Sequence, residues 1–232
     1  MPKFVKVSDS KLPIEELHLG FLNYKLRNEF GFLESSKNNM PLNNKGEIIP
    51  MYTYPCYEYL NSIDWKNADV FEYGCGYSTI WWKGKNVNYI GVEDDKKWYD
   101  LLKKNQPNIQ LKEDLKAYVN LIYEIDKKFD VIVIDGQGRF DCVKPALDCI
   151  KKDGMIILDN SDWHTNTKEQ LDNSDLIPIH FHGFKALHID SETTSCYISR
   201  DFKRKAKSIL PMGGTKREQH VVDTKQILIM KE

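Results

Sequence analysis

The sequence predicts an α/β fold, a doubly wound, mostly parallel seven-stranded sheet that ends in an antiparallel hairpin. Three observations predict it. From Ala68 onward, short apolar runs alternate with segments of helical period, the order that places parallel strands and their crossover helices in one sheet. Two of the runs, FDVIVID (129–135) and GMIILDN (154–160), are almost continuously apolar, as strands covered on both faces are. The last two runs, LIPIHFHGF (176–184) and TTSCYISRDF (193–202), have no convincing helix between them and read as a hairpin.

In chain order, Leu12 to Phe32 reads as one amphipathic helix, with Ile14, Leu17, Phe21, Leu22 and Leu26 at helical spacing. SSKNNMPLNNKGE (35–47) is a loop by composition, and Pro55 starts a short helix. ADVFEY (68–73) and VNYIGV (87–92) are strands, and DDKKWYDLLKKN (94–105) is a helix. NIQLK (108–112) is a strand and LKAYVNLIYEIDKK (115–128) a helix. A further helix is expected from about Cys142 to Lys152. The expected divisions are a helical N-terminal extension that covers the substrate (1–55), a main domain (56–200) and a basic tail (201–232). The tail, which opens FKRKAKS, is expected to be solvated.

At 232 residues, one α/β domain with terminal additions is the economical reading. A net charge of −1 gives no reason to expect nucleic acid or an anionic membrane as partner. No apolar run approaches the roughly 18 residues of a membrane span. MPKFVKVSDSKLP lacks the apolar core of a secretory signal. The five cysteines contain no C-x-x-C pair and read as free thiols, so a cytoplasmic location is expected.

Ligands of open parallel sheets bind at the carboxyl ends of the strands. The stretches there are Glu72 to Thr79, Glu93 and Asp94, Asp114, Asp135 to Arg139, and Asp159 to His164. Almost every one opens with an acid. The loop GCGYST (74–79) has Thr79 where a dinucleotide loop has its third glycine, and it lacks the G-K-[ST] ending of a phosphate loop. Glu72, just before the glycines, would oppose a pyrophosphate and suit a cationic amino group. Glu93 stands where a carboxylate can accept both ribose hydroxyls, and Asp114 where it can meet an adenine amino group. Together these describe an adenosine with a cationic tail.

The ordered series E-x-G-x-G-x-S-T, G-V-E-D, E-D, D-V-I-V-I-D-G and G-M-I-I-L-D-N, from about Ala68 to Trp163, resembles that of the class I S-adenosylmethionine-dependent methyltransferases. The resemblance implies a Rossmann-like methyltransferase fold with S-adenosylmethionine in the crevice. Gly74, Cys75, Gly76, Ser78 and Thr79 would form its loop, Glu72 would face its amino group through that loop, and Glu93, Asp94, Asp114 and Asp135 would complete its site.

An Asp after the fourth strand and an Asp-Asn after the fifth also resemble metal-dependent small-molecule O-methyltransferases. That likeness implies Mg²⁺ held by Asp135, Asp159 and Asn160. A lysine base that those enzymes often carry is absent from DGQGRF (135–140), where Arg139 suits a clamp better than a base. His164 stands where a general base could reach the methyl acceptor, with Asp162 as a second option, so the catalytic set is His164, Arg139 and Asp135. His180 and His182 lack an evident third metal ligand. Trp81 and Trp82 read as packing, while Tyr54 and Pro55 read equally as core or as cover over the substrate. The expected activity is methyl transfer to a small-molecule or sugar hydroxyl. An aminopropyltransferase of the spermidine synthase kind, or a non-catalytic nucleoside-binding protein on the same fold, are the alternatives. DGQG in place of an acidic D-S-S-D run counts against the first.

Overall fold

A computed structural model describes residues 13–105, 108–207 and 209–214. The start of the expected first helix at Leu12 and most of the basic tail lie outside the described residues.

The strands are β1 (Asp69–Tyr73), β2 (Asn88–Glu93), β3 (Ile109–Leu111), β4 (Phe129–Ile134), β5 (Ile150–Leu158), β6 (Ile177–Gly183) and β7 (Glu192–Ile198). They form one sheet in the order β3-β2-β1-β4-β5-β7-β6. Every pairing from β3 to β5 is parallel, and β7 lies antiparallel to both β5 and β6. This is the doubly wound sheet with a terminal antiparallel hairpin that the sequence predicts.

Period two in the central strands explains why helices cover both faces. Val131 and Val133 of β4 face one core, with Trp65, Trp82, Leu60 and Ile157. Ile132 and Ile134 face the other, with Phe71, Tyr73, Tyr118 and Ile122. Helices α3 (Tyr54–Asn61), α4 (Tyr77–Lys83) and α5 (Lys96–Lys103) supply the first layer. Helices α6 (Leu115–Glu124), α7 (Arg139–Cys149) and α8 (Thr165–Asp172) supply the second. The edges are blunt: β3 has three residues, and β6 carries Pro178.

Four expectations need correction. The first helix is not continuous to Phe32. It runs as α1 (Ile14–Tyr24), widens into a π-helical turn over Lys25–Glu29 and stops before Gly31. Gly31 has φ +77 and touches the Asn43 backbone, so the chain must turn there. Of its apolar positions, Ile14, Phe21 and Leu22 are exposed. The polar segment 35–47 is only partly loop, because α2 (Phe32–Asn38) takes its first residues. The helix expected at 142–152 is α7, shifted toward the N-terminus, and Ile150 to Lys152 already belong to β5. The described start of the tail is not fully solvated either. Phe202 packs on Trp65, Ala206 bridges Ile63, and Arg204 Nη2 pairs with Asp130 Oδ1 at 2.9 Å. Among the described residues no helix is long and apolar enough to cross a membrane.

One close approach sets the geometry of the crevice. Gly74 follows β1 with φ +83, and a Cβ there would lie 2.5 Å from Gly136 Cα. A Cβ on Gly136 would in turn lie 2.0 Å from the Tyr118 hydroxyl. The loops after β1 and β4 therefore meet backbone to backbone. Gly74→Ala is expected to cost about 2–4 kcal/mol in urea unfolding, from left-handed strain and forced separation of the loops. Gly76→Ala should stay within about 0.5 kcal/mol of the parent, because no atom lies within 4 Å of a Cβ built there.

Candidate active site

The loop after β1 is held by two acids. Cys75 N–H donates to Glu93 Oε2 at 2.6 Å, while Glu93 Oε1 accepts from the amides of Asp94 (3.0 Å) and Asp95 (2.7 Å). Gly76 N–H donates to Thr79 Oγ1 at 3.0 Å, and the Thr79 hydroxyl donates to Glu72 Oε2 at 2.6 Å. The Tyr89 hydroxyl reaches the same oxygen at 2.5 Å. Glu72 is fully buried, and its Oε1 has no hydrogen-bond partner. Burial outweighs the hydrogen bonds from Thr79, Tyr89 and Ser78 and pushes its carboxyl up to about 7. Burial likewise raises Glu93 and Asp94.

A second cluster lies at the carboxyl ends of β4 and β5 and the start of β7. Arg139 Nη2 contacts Asp135 Oδ1 at 3.1 Å, and Nη1 reaches Asn160 Oδ1 at 3.3 Å and donates to the Asp159 carbonyl. Asp159 Oδ1 accepts from the Thr194 hydroxyl at 2.5 Å, and its Oδ2 lies 3.5 Å from Lys185 Nζ. Lys185 also pairs with Glu192, whose Oε2 accepts from Asn160 Nδ2 at 2.5 Å. His188 Nδ1 lies 2.6 Å from Glu192 Oε1. Asp159, Lys185 and Glu192 are all buried. Burial and the charge of Asp159 push Asp135 well above the usual carboxylate range, and burial raises Asp159. Burial alone would lower Lys185, but Asp159 and Glu192 outweigh it and hold the ammonium charged.

The sequence-predicted residues separate into two groups. Glu72, Gly74, Cys75, Gly76, Ser78, Thr79 and Glu93 come together around the loop, and Asp135, Arg139, Asp159 and Asn160 around the second cluster. Asp114 is exposed and caps α6, accepting from Ala117 N–H at 2.8 Å. Asp162 accepts from Thr193 N–H at 2.9 Å, which commits it to holding β7. His164 precedes α8, half-buried; burial and then Arg139 lower its proton affinity, so the ring is neutral at pH 7. His180 and His182 each bond a β7 hydroxyl, Ser195 and Thr193, at 2.8 Å. Trp81 and Trp82 are buried against Tyr57 and Trp65. Tyr54 is buried edge-on against Phe30, while Pro55 is exposed.

Sequence reasoning missed Tyr52, Lys185, His188, Glu192 and Thr194. Lys185 follows the run of β6 and Glu192 opens β7. The rule of inspecting strand ends would have found both had it been extended to the hairpin. Tyr52 has a buried hydroxyl without a partner. Burial and then the charges of Glu72, Asp135 and Asp159 raise it.

The expected Mg²⁺ set does not fit. Arg139 bridges Asp135 Oδ1 and Asn160 Oδ1, and the two oxygens of Asp159 face Thr194 and Lys185, so two fixed cations stand among the three residues. The set around the loop does fit an adenosine with a cationic tail. Glu72 offers a buried oxygen with no partner, and no atom lies within 4 Å of a Cβ built on Gly76. A separate cavity of about 1150 Å³, lined by Glu47, Glu58, Trp81, Lys85 and Met212 among others, touches none of these acids.

No protein-family model and no curated protein matches this chain. Solved structures do. A putative O-methyltransferase from Klebsiella pneumoniae is 17% identical, with a TM-score of 0.46 over 56% of this chain and 72% of that one. Spermidine synthase from Thermotoga maritima is 16% identical, with a TM-score of 0.46 over 59% and 56% of the two chains. A S-adenosylmethionine-dependent O-methyltransferase from the same organism is 13% identical, with a TM-score of 0.46 over 68% and 69%. Seven strands, mostly parallel and closed by an antiparallel hairpin, give this chain the Rossmann-like methyltransferase fold.

Proposed function

We propose that the chain is a S-adenosylmethionine-dependent methyltransferase that acts on a small-molecule or sugar hydroxyl. The observation that carries this reading is Glu72. A fully buried carboxylate with an unpartnered oxygen, tied through Thr79 to a glycine whose Cβ position is empty, favours a cationic group over a phosphate. Gly74 and Gly76 would give the methionine part close approach, Glu72 would answer its ammonium, and Glu93 would take the ribose hydroxyls. Asp94, Asp114 and Asp135 remain at the margins of that site. When bound, this cofactor supplies a methyl group already activated on a sulfonium.

The chain's own work is then to orient the acceptor, exclude water and receive a proton. His164 suits the last task, since burial and Arg139 keep it uncharged at neutral pH. Arg139 holds the loop after β4 to the loop after β5 through Asp135, the Asp159 carbonyl and Asn160. Phe140 in the first turn of α7, Trp163 on the loop after β5 and Phe184 on the loop after β6 are exposed. These three rings favour an acceptor with an apolar face.

Calorimetry with S-adenosylmethionine should show saturable binding that Glu93→Ala weakens by about 100-fold, the loss of two hydrogen bonds to a charged group. Gly76→Ala should weaken it at least about tenfold while the unfolding curve stays unchanged. Parent-like affinity in both variants removes the cofactor assignment.

Glu72 also makes a pH prediction. Its folded value of about 7 lies above the ordinary 4.5, so between those values the folded state binds the extra proton and stability falls as pH rises. Glu72→Gln should flatten this slope in the ligand-free protein. Its stability gain relative to the parent should approach about 3 kcal/mol above pH 7. An unchanged slope would show that Glu72 does not titrate in this window.

A further inference from the structure

We propose that the second cluster is metal-free by construction: Arg139 and Lys185 hold the place among Asp135, Asp159 and Asn160 that a divalent ion would need. On the methyl-transfer reading above, on which only this consequence rests, the two cations are the fixed charges that face an ionising acceptor oxygen.

Each candidate ligand is already committed. Asp135 Oδ1 takes Arg139 Nη2 at 3.1 Å, and Asn160 Oδ1 takes Arg139 Nη1 at 3.3 Å. Asp159 gives one oxygen to Thr194 at 2.5 Å and turns the other to Lys185 at 3.5 Å. Mg²⁺ requires oxygen ligands at about 2.0–2.1 Å in near-octahedral array. Collecting these three would mean expelling both cations from their carboxylates.

Lys185 is poorly placed to leave. It is 4% exposed, and departure would strip Glu192, itself 3% exposed, of its cation. Its loop is fixed on both sides. Tyr54 N–H donates to the Phe184 carbonyl at 2.7 Å, and Leu187 holds a left-handed conformation at φ +67. Arg139 is equally held: its Nε donates to the Gly136 carbonyl at 3.0 Å, so the guanidinium is aimed by its own loop. A planar fork that meets a carboxylate, an amide oxygen and a carbonyl at once is a task for arginine and not for lysine.

The test uses the full chain and MnCl₂, followed by calorimetry and by the Mn²⁺ resonance signal. The parent should show no saturable site below about 1 mM Mn²⁺. The double variant Arg139→Ser/Lys185→Met should gain a site at least tenfold tighter, which Asp159→Asn then removes. Arg139→Gln, which leaves the Lys185 pairs intact, should gain part of that affinity and keeps the test decisive where the double variant does not fold. A saturable parent site that Asp159→Asn abolishes would overturn the proposal. So would folded variants, by circular dichroism, that gain no Mn²⁺ affinity. S-adenosylmethionine titrated into the same parent sample is a separate arm: failure to bind there removes the methyl-transfer reading and leaves the cation assignment standing.

Discussion

Charges deprived of water must balance among themselves, and the carboxyl end of this sheet is arranged around that requirement. Asp135, Asp159 and Glu192 meet only two cations, Arg139 and Lys185. Removing one partner from such a set leaves a buried charge uncompensated, which is far more damaging than loss of a surface pair. The loops after β4, β5 and β6 are thus tied together by charge and not by apolar packing. Three acids against two cations leave the set one positive charge short. Asp135, raised by burial and by repulsion from Asp159, is the group that takes up a proton.

The glycine loop obeys the same rule in a smaller space. Glu93 and Glu72 hold it from two sides, one through the Cys75 amide and the other through Thr79. Loop shape and ligand chemistry are therefore carried by the same carboxylates. The two glycines do different things: Gly74 is required by packing, because Gly136 lies against it, whereas Gly76 caps α4 and has no atom within 4 Å of a Cβ built there. The glycine that packing does not require is the better marker of ligand approach.

Much of the fold was legible because its strands announce themselves. FDVIVI has all six residues buried, so its continuous apolar run had one reading. Acids at successive strand ends were legible too, since strand ends are fixed by the same pattern. Other features were hidden by distance in the chain. Lys185 and Glu192 reach Asp159 and Asn160 only after the chain has passed through α8 and β6; their places at the ends of β6 and β7 mark them as candidates, but their pairing is set by the antiparallel return of β7 beside β5. The helix expected through Phe32 failed for a related reason: Gly31 turns the chain against the backbone of Leu42 and Asn43, a contact that periodicity does not record. Asp114 stands at a strand end as a ligand would, and its bond from Ala117 N–H makes it the cap of α6, a pairing set by local backbone geometry that strand-end position does not record.

The opposite end of the sheet shows why the buried acids point to function. There Asp69 and Asp130 also gather cations: Lys127 at 2.7 Å, Lys151 at 2.8 and 2.9 Å, and Arg204 at 2.9 Å. Those groups keep part of their hydration, and such pairs contribute little each, on the order of 0–1 kcal/mol. Folding can solve its charge problem that way, with flexible lysines at a wet rim. At the carboxyl end Asp159, Lys185 and Glu192 have been taken out of water, where well-packed apolar residues would serve stability at least as well. Glu72 makes the contrast sharper, because its Oε1 gains no protein partner in return for being buried. Stability gives no reason to place it there, and a bound cation does.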